Sequence, residues 1–317
     1  MTFQIEVLLT ENELAEQFLA ALEQRHLPEK FFYWFPLSVK AWLDLCQGEQ
    51  PYKNFSRSYQ LVSRHAQAIA RQSRAEKIEV VSLGAGQGDK DLLVLRGLEA
   101  SGIKVRYRPV DPSQALLEMA TQRAAAAGFP VRGLKAEVEN PRTAEVLAPQ
   151  SRDEPRLFLV LGNTLGVIDP LEFLRTLRAL ARREDRFLVD GEMFSAEDTL
   201  AGYDNPVNRR FAFAPLASVG LEDGRDGALI FTSETDARRD GLHRLSKHFR
   251  AARDLAIAVA GRRVGLASGE TLAMHCSYKY ARPTFLGLLR EAGLEPLDEF
   301  LSEDERFLMV FAAPGAK

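Results

Sequence analysis

Three glycines spaced G-x-G-x-G, Gly84, Gly86 and Gly88, stand directly after an apolar run from Ile78 to Leu83. A helical pattern carrying Leu92, Leu93 and Leu95 follows at once, and Asp111 closes the next apolar run, Val105 to Val110, 25 residues after Gly86. Strand, glycine turn, helix and distant acid together read as the opening of a nucleotide-binding βαβ unit. The glycines let the backbone turn tightly and lie close to a ligand. A carboxylate at the end of the second strand can accept hydrogen bonds from the two hydroxyls of a ribose. A dinucleotide turn usually runs G-x-G-x-x-G, with a pyrophosphate held at the helix start. Here acidic Asp89 occupies that start and would repel a phosphate. It suits a ligand with a cationic sulfonium and an amino-acid tail, which favours S-adenosylmethionine over NAD.

The elements that would carry this turn alternate strand and helix over residues 76–195, the signature of a doubly wound parallel sheet with helices on both faces. After the first two strands come a helix from Gln114 to Ala127 and a short strand near Val131, which delivers Glu137. A strand from Leu157 to Leu161 ends in Gly162-Asn163-Thr164, and one from Arg186 to Val189 ends near Asp190-Gly191-Glu192. Every candidate polar residue sits just after a strand, the edge where open α/β sheets bind ligands. Residues 1–75 read as mainly helical, a segment that would contribute to a substrate domain or lid. In its aromatic cluster Phe31, Phe32, Trp34 and Phe35 read as core, while the hydroxyls of Tyr33 and Tyr52 want partners and can line a pocket. Residues 196–280 break the alternation with four β-like runs, Ala228 to Thr235, Leu242 to Phe249, Leu255 to Val259 and Leu272 to Tyr280. They read as an inserted substrate-binding module with hairpin turns at Asp240-Gly241 and Ala260-Gly261. Residues 281–317 supply a helix and two final strands, the first weakened by Pro296.

Composition narrows the class of partner. With 317 residues and 46% hydrophobic content the chain can bury a substantial core. Net charge is −3 and the basic residues are spread along the chain, so a nucleic-acid binder is disfavoured and a small-molecule substrate expected. Two cysteines, Cys46 and Cys276, far apart, argue against a disulfide framework and for a reducing compartment. The first residues lack a basic, apolar leader, and no apolar stretch approaches about 18 residues. A cytoplasmic protein without a membrane span is expected, and no metal ligand set is apparent.

With these parts placed, the sequence resembles the histidine-specific methyltransferase family, whose best-known members trimethylate the histidine α-amine to make hercynine for ergothioneine. LPEKFFYW and NFSRSY resemble the family's substrate-lid segments, LGAGQGDKDLL its glycine turn, PVDPS its second-strand acid, and LGNTLGVIDP its fourth-strand loop. YDNP resembles a later turn, and GETLAMHCSYKY a segment ending S-x-K-[FY]. The resemblance covers nearly the whole chain. It implies a class I S-adenosylmethionine-dependent methyltransferase, Rossmann-like, with an inserted mixed α/β substrate-binding domain and S-adenosylhomocysteine as product. By position, Gly84, Ala85, Gly86, Lys90, Asp111, Glu137, Asn163 and Thr164 would surround the cofactor. Tyr33, Tyr52, Tyr203, Phe213, His275 and Ser277 would line the acceptor site.

The acceptor half departs from the family. Ala212 and Ala214 stand in the segment where a pocket asparagine is expected, and His275 stands where an acid grips the imidazole, while Ser277 is kept. A histidine substrate is therefore not expected; an amine or amino-acid-like metabolite is, with a phenol or small acid methylated on oxygen as the alternative, or a non-catalytic relative that only binds the cofactor. An amine acceptor must lose its proton, and Tyr33, Tyr52 or His275 can position the amine or take that proton. Strand alternation would put His275 and Ser277 on one face and Cys276 on the other.

Overall fold

The computed structural model describes residues 3–47, 53–73, 75–148 and 154–315. The N-terminal part runs β1 (Gln4–Val7), α1 (Glu11–Glu23), α2 (Pro36–Gln47) and α3 (Lys53–Ser73). Then come β2 (Lys77–Leu83), α4 (Asp89–Ala100), β3 (Lys104–Asp111), α5 (Gln114–Ala126), β4 (Arg132–Lys135) and α6 (Pro141–Val146). The alternation closes with β5 (Arg156–Val160), α7 (Pro170–Leu180) and β6 (Arg186–Glu192). There follow α8 (Thr199–Tyr203), α9 (Pro206–Ala217), β7 (Gly227–Thr235), β8 (Leu242–Ala251), β9 (Leu255–Val259), β10 (Arg262–Leu266) and β11 (Thr271–Tyr280). The chain ends with α10 (Arg282–Glu291), β12 (Leu294–Leu301) and β13 (Phe307–Pro314). Contacts divide it into two units. One comprises Met1–Leu8, Asn54–Phe194 and Lys279–Lys317, the other Leu9–Lys53 and Ser195–Tyr278.

The first unit holds an eight-stranded sheet in the order β1-β4-β3-β2-β5-β6-β13-β12. The pairings from β1 across to β6 are parallel, and β13 and β12 add two antiparallel ones. This is the Rossmann-like doubly wound sheet with an antiparallel finish. Its central strands are buried over most of their length, and β5 at all five positions, Arg156 included, as expected for strands covered on both faces. Order reverses where β2 has β3 on one side and β5 on the other, and the crevice at such a switch point opens at the carboxyl ends of the strands. On α3, Leu61, Val62, Ile69 and Ala70 recur at helical spacing and pack with Ile78, Val80 and Val94.

One expectation about this unit is extended and one corrected. The helices expected in residues 1–75 are present as α1, α2 and α3, but a strand precedes them: β1 joins the sheet edge in parallel register with β4, Gln4↔Arg132 to Val7↔Lys135. Four residues show too little periodicity to announce a strand, and here the partner strand supplies the order. Residues 54–73 also belong with the sheet, because their apolar stripe packs in its core. At Pro296 the expected weakness appears as a register shift between Pro296 and Asp298.

The second unit packs α1, α2 and α9 with a three-stranded sheet, β11-β8-β7, and a two-stranded sheet, β10-β9. Its core gathers Phe18, Phe31, Phe32, Phe211, Phe213 and Phe249. Thr10 caps α1 in a reciprocal capping box with Glu13. The β9–β10 hairpin turns through Ala260 and Gly261, both at positive φ (49° and 77°), with Val259 facing Arg262. That is the two-residue turn whose twist matches the strands. The sequence does not announce strand β10, because Arg262, Arg263 and Gly265 dilute the apolar alternation of Val264 and Leu266.

Candidate functional site

In the first unit the glycine turn, the end of β3 and the loop after β5 meet. Gly84 has φ +72°, and a Cβ there would lie 2.8 Å from Thr164 Oγ1, so the turn and the loop touch only because residue 84 has no side chain. Gly86, at φ +55°, has no protein atom within 4 Å of where a Cβ would lie, so its side of the turn is open to an approaching group. Gly86 N donates to Asp111 Oδ2 at 2.8 Å, and Ser113 N donates to Oδ1 at 2.8 Å. Asp111 is 5% exposed, and burial raises its pKa to about 6 against the pull of those two N–H groups, with the nearby Asp91 carboxylate adding to the rise. A carboxylate oxygen has room for more than one donor, so each can also take a ligand hydroxyl. Asp111 thus suits the ribose of a nucleoside cofactor.

Lys90 extends from the first turn of α4 with Nζ 4.7 Å from the Phe55 ring centroid, and a Cβ at Gly162 would meet Nζ at 2.6 Å. Asp89 differs from the expectation. It forms an ion pair with Arg123 and accepts from Gln87, so its charge is neutralised locally and the repulsion argument against phosphate loses its force. Ala85 N donates to the Val110 carbonyl at 3.1 Å, which seats the turn on β3. Glu137 follows β4 by two residues and is half-buried. Since β3 and β4 pair through Asp111↔Lys135, it stands at the same edge of the sheet.

Asn163 adopts φ +67°, and its Oδ1 accepts from Glu192 N at 3.2 Å. Thr164 Oγ1 donates to the Leu161 carbonyl at 2.9 Å. Beneath this loop lies a group that sequence reasoning does not place in the site. Asp190, fully buried, accepts from Gly162 N and Asn163 N, both at 2.9 Å, and from the Ser58 hydroxyl. Burial raises its pKa, and Lys90 is near enough to oppose the rise. Glu192 accepts from Lys279 Nζ at 2.7 Å and from Asn54. The signal was present as two periodicities: Asn54 and Ser58 are one helical turn apart, and Asp190 and Glu192 alternate onto one strand face. A further missed pair lies behind the turn, where the Tyr107 hydroxyl donates to buried Asp91 and burial raises both pKa values.

The second unit holds the residues expected on the acceptor side, apart from Tyr52, which lies outside the described residues. The Tyr33 hydroxyl donates to Glu29 Oε1 at 3.1 Å, and its ring packs 5.3 Å from Trp42 and 5.5 Å from Phe211. Lys247 Nζ reaches Glu29 Oε2 at 3.3 Å and lies 4.1 Å from the Phe32 ring centroid. Phe213, 5% exposed, packs in the unit's core against Phe249, and Ala212 and Ala214 are buried on the same helix. Tyr203 is partly buried against that core.

His275 and Ser277 are placed differently from the simple strand. His275 has φ +63°, a left-handed residue within β11, and burial along the strand stops alternating there. Such a residue re-aims the side chains that follow, so two-residue spacing no longer assigns His275 and Ser277 to one face. The Cys276 thiol feels Arg244, Glu29 and Lys247, and burial raises its pKa. It therefore shares the neighbourhood of Tyr33's partner.

The sequence profile of the family described as "Histidine-specific methyltransferase, SAM-dependent" matches residues 14–314. An N-methyltransferase of Aspergillus flavus, imqF, is 23% identical over 313 residues, covering 92% of this chain and 82% of that protein. The N-methyltransferase fsqC of Aspergillus fumigatus is 24% identical over 236 residues, covering 72% and 64%. Among solved structures, the Burkholderia thailandensis 1,6-didemethyltoxoflavin-N1-methyltransferase has a TM-score of 0.47 and 14% identity, covering 95% of this chain and 91% of that one. No helix among the described residues is long and apolar enough to cross a membrane.

Proposed function

The chain belongs to the histidine-specific, S-adenosylmethionine-dependent methyltransferase family, and from that premise we propose that it methylates nitrogen on a small amine or amino-acid-like metabolite other than histidine. The observation that carries the cofactor half is the carboxylate of Asp111 bonded to the open glycine turn at Gly86 N. On this reading Gly84, Ala85 and Gly86 let the nucleoside lie against the backbone, Asp111 takes the ribose hydroxyls, Glu137 lies toward the adenine amine, and Lys90, Asn163 and Thr164 border the amino-acid end. When bound, the cofactor supplies an activated methyl group on a sulfonium.

The chain's own task is then alignment and electrostatics. Tyr33, Tyr52, Tyr203, Phe213, His275 and Ser277 are assigned to the acceptor, and the proton that an ammonium must lose goes either to His275 or to Tyr33 as Tyr33 passes its own hydroxyl proton to the Glu29 carboxylate. Nitrogen as the accepting atom is favoured by the curated relatives, both named as N-methyltransferases. Rejection of histidine rests on His275 in place of an acid, since exchanging a carboxylate for an imidazole removes the negative charge that would favour a cationic ligand. A cytoplasmic setting belongs to the same reading, given only two cysteines, Cys46 and Cys276, far apart in sequence.

The test is a screen for S-adenosylhomocysteine release over amines, amino acids including histidine, and phenolic acids. Turnover on an amine or a non-histidine amino acid is expected. Efficient methylation of free histidine would overturn the substrate assignment, and turnover on phenolic acids alone would move the reaction to oxygen.

A further inference from the structure

We propose that Asp190 is a positioning residue for the methyl donor, holding the Gly162–Thr164 turn in the one shape that fits against the glycine turn. This rests on the reading that the turn borders the cofactor. Its two carboxylate oxygens accept the two consecutive N–H groups that open the turn, Gly162 N and Asn163 N, each at 2.9 Å. The turn needs such a frame because both residues sit at positive φ, Gly162 at +79° and Asn163 at +67°. Asparagine tolerates that region better than most side chains, but still at a cost.

What the frame fixes is close packing. Thr164 lies where a Cβ on Gly84 would be 2.8 Å away, and Lys90 Nζ lies where one on Gly162 would be 2.6 Å away. A shift of the turn by a few tenths of an ångström would therefore displace both neighbours.

Asp190 is itself held from α3. Ser58 donates to its Oδ2, and one turn earlier Asn54 donates to Glu192, whose own N–H is accepted by Asn163 Oδ1. Two side chains four apart on a helix thus grip two acids that are two apart on a strand, and both acids bond the same turn. The four groups are buried: Asn54 at 2%, Ser58 at 0%, Asp190 at 0% and Glu192 at 6% exposure. In a buried site such a framework is rigid while complete and expensive to leave partly unsatisfied.

The test is Asp190→Asn with Ser58→Ala, measured by calorimetry with S-adenosylhomocysteine and by amide hydrogen exchange. In Asp190→Asn one amide NH2 must face a backbone N–H, so one bond is lost. Its S-adenosylhomocysteine Kd should rise about tenfold or more, the loss expected for a bond to a charged group. Exchange at Gly162 and Asn163 should accelerate while Gly86, bonded to Asp111, keeps its protection. Ser58→Ala leaves both backbone bonds and should raise Kd about threefold, and it keeps the proposal testable where the asparagine variant does not fold. A merely structural role would lower Tm without this local exchange pattern. Wild-type affinity and unchanged exchange at Gly162 and Asn163 in a folded Asp190→Asn, or wild-type affinity in Ser58→Ala, would overturn the proposal and leave the cofactor reading standing. Failure of the unmodified protein to bind S-adenosylhomocysteine would overturn both.

Discussion

The backbone N–H of Gly86 points at the carboxylate of Asp111 across 2.8 Å, so the turn between β2 and α4 is tied to the end of β3 before any ligand arrives. The acid is held in place by the backbone it would help to present.

Cofactor affinity should depend on pH through Asp111. Burial lifts its pKa from 3.8 in the unfolded chain to about 6. The folded protein therefore binds the proton more tightly, and the cost of burying the charge appears as pH rises from about 4 through 6. Below about 6 the protonated acid is a poorer acceptor for hydroxyls, so affinity for S-adenosylhomocysteine should fall as pH drops from 7.5 to 5. An Asp111→Asn variant should lose that step, and a pH profile identical to wild type would show that Asp111 does not titrate in the site.

Gly84→Ala and Gly86→Ala should behave differently although both glycines have positive φ. The left-handed backbone costs an L-residue about 1–2 kcal/mol at either position. At residue 84 the new methyl also meets Thr164 Oγ1 at 2.8 Å, whereas at residue 86 it meets nothing within 4 Å. Chemical denaturation should find Gly84→Ala the more destabilising of the two. A Thr164→Ala change should recover part of the loss at residue 84 and none at residue 86. Equal losses for the two variants would mean that Thr164 yields without resistance.

Lys279 and Glu192 form an ion pair at 2.7 Å with side chains 0% and 8% exposed. Removing one partner of such a pair leaves a buried charge and typically costs about 3–5 kcal/mol. Lys279→Met should therefore lower unfolding free energy by that order, and Lys279→Met with Glu192→Gln should recover much of it. A loss under about 1 kcal/mol for the single variant would show that water reaches Glu192 readily.

What was legible in the sequence was local. The apolar run before Gly84, the turn itself and Asp111 announced the strand–turn–helix unit and its acid because each is read within one βαβ unit. The interlock beneath the loop was not legible in that way, because Ser58 and Asp190 are 132 residues apart and Asn54 and Glu192 are 138 apart. Asp89 misled for the same reason: its neutralising partner Arg123 comes from the next helix of the fold, 34 residues on. His275 misled because strand alternation assumes extended backbone at every residue, and nothing in the sequence MHCSY marks a left-handed one.

The account turns on whether the glycine turn and Asp111 bind the methyl donor, and calorimetry with S-adenosylhomocysteine on wild type and Asp111→Ala tests that directly. Removing the charged acceptor of two ribose hydroxyls should weaken binding by about 1–3 kcal/mol, roughly fivefold to more than a hundredfold in Kd. Wild-type affinity in a folded Asp111→Ala variant, or no binding to the unmodified protein, would contradict the account.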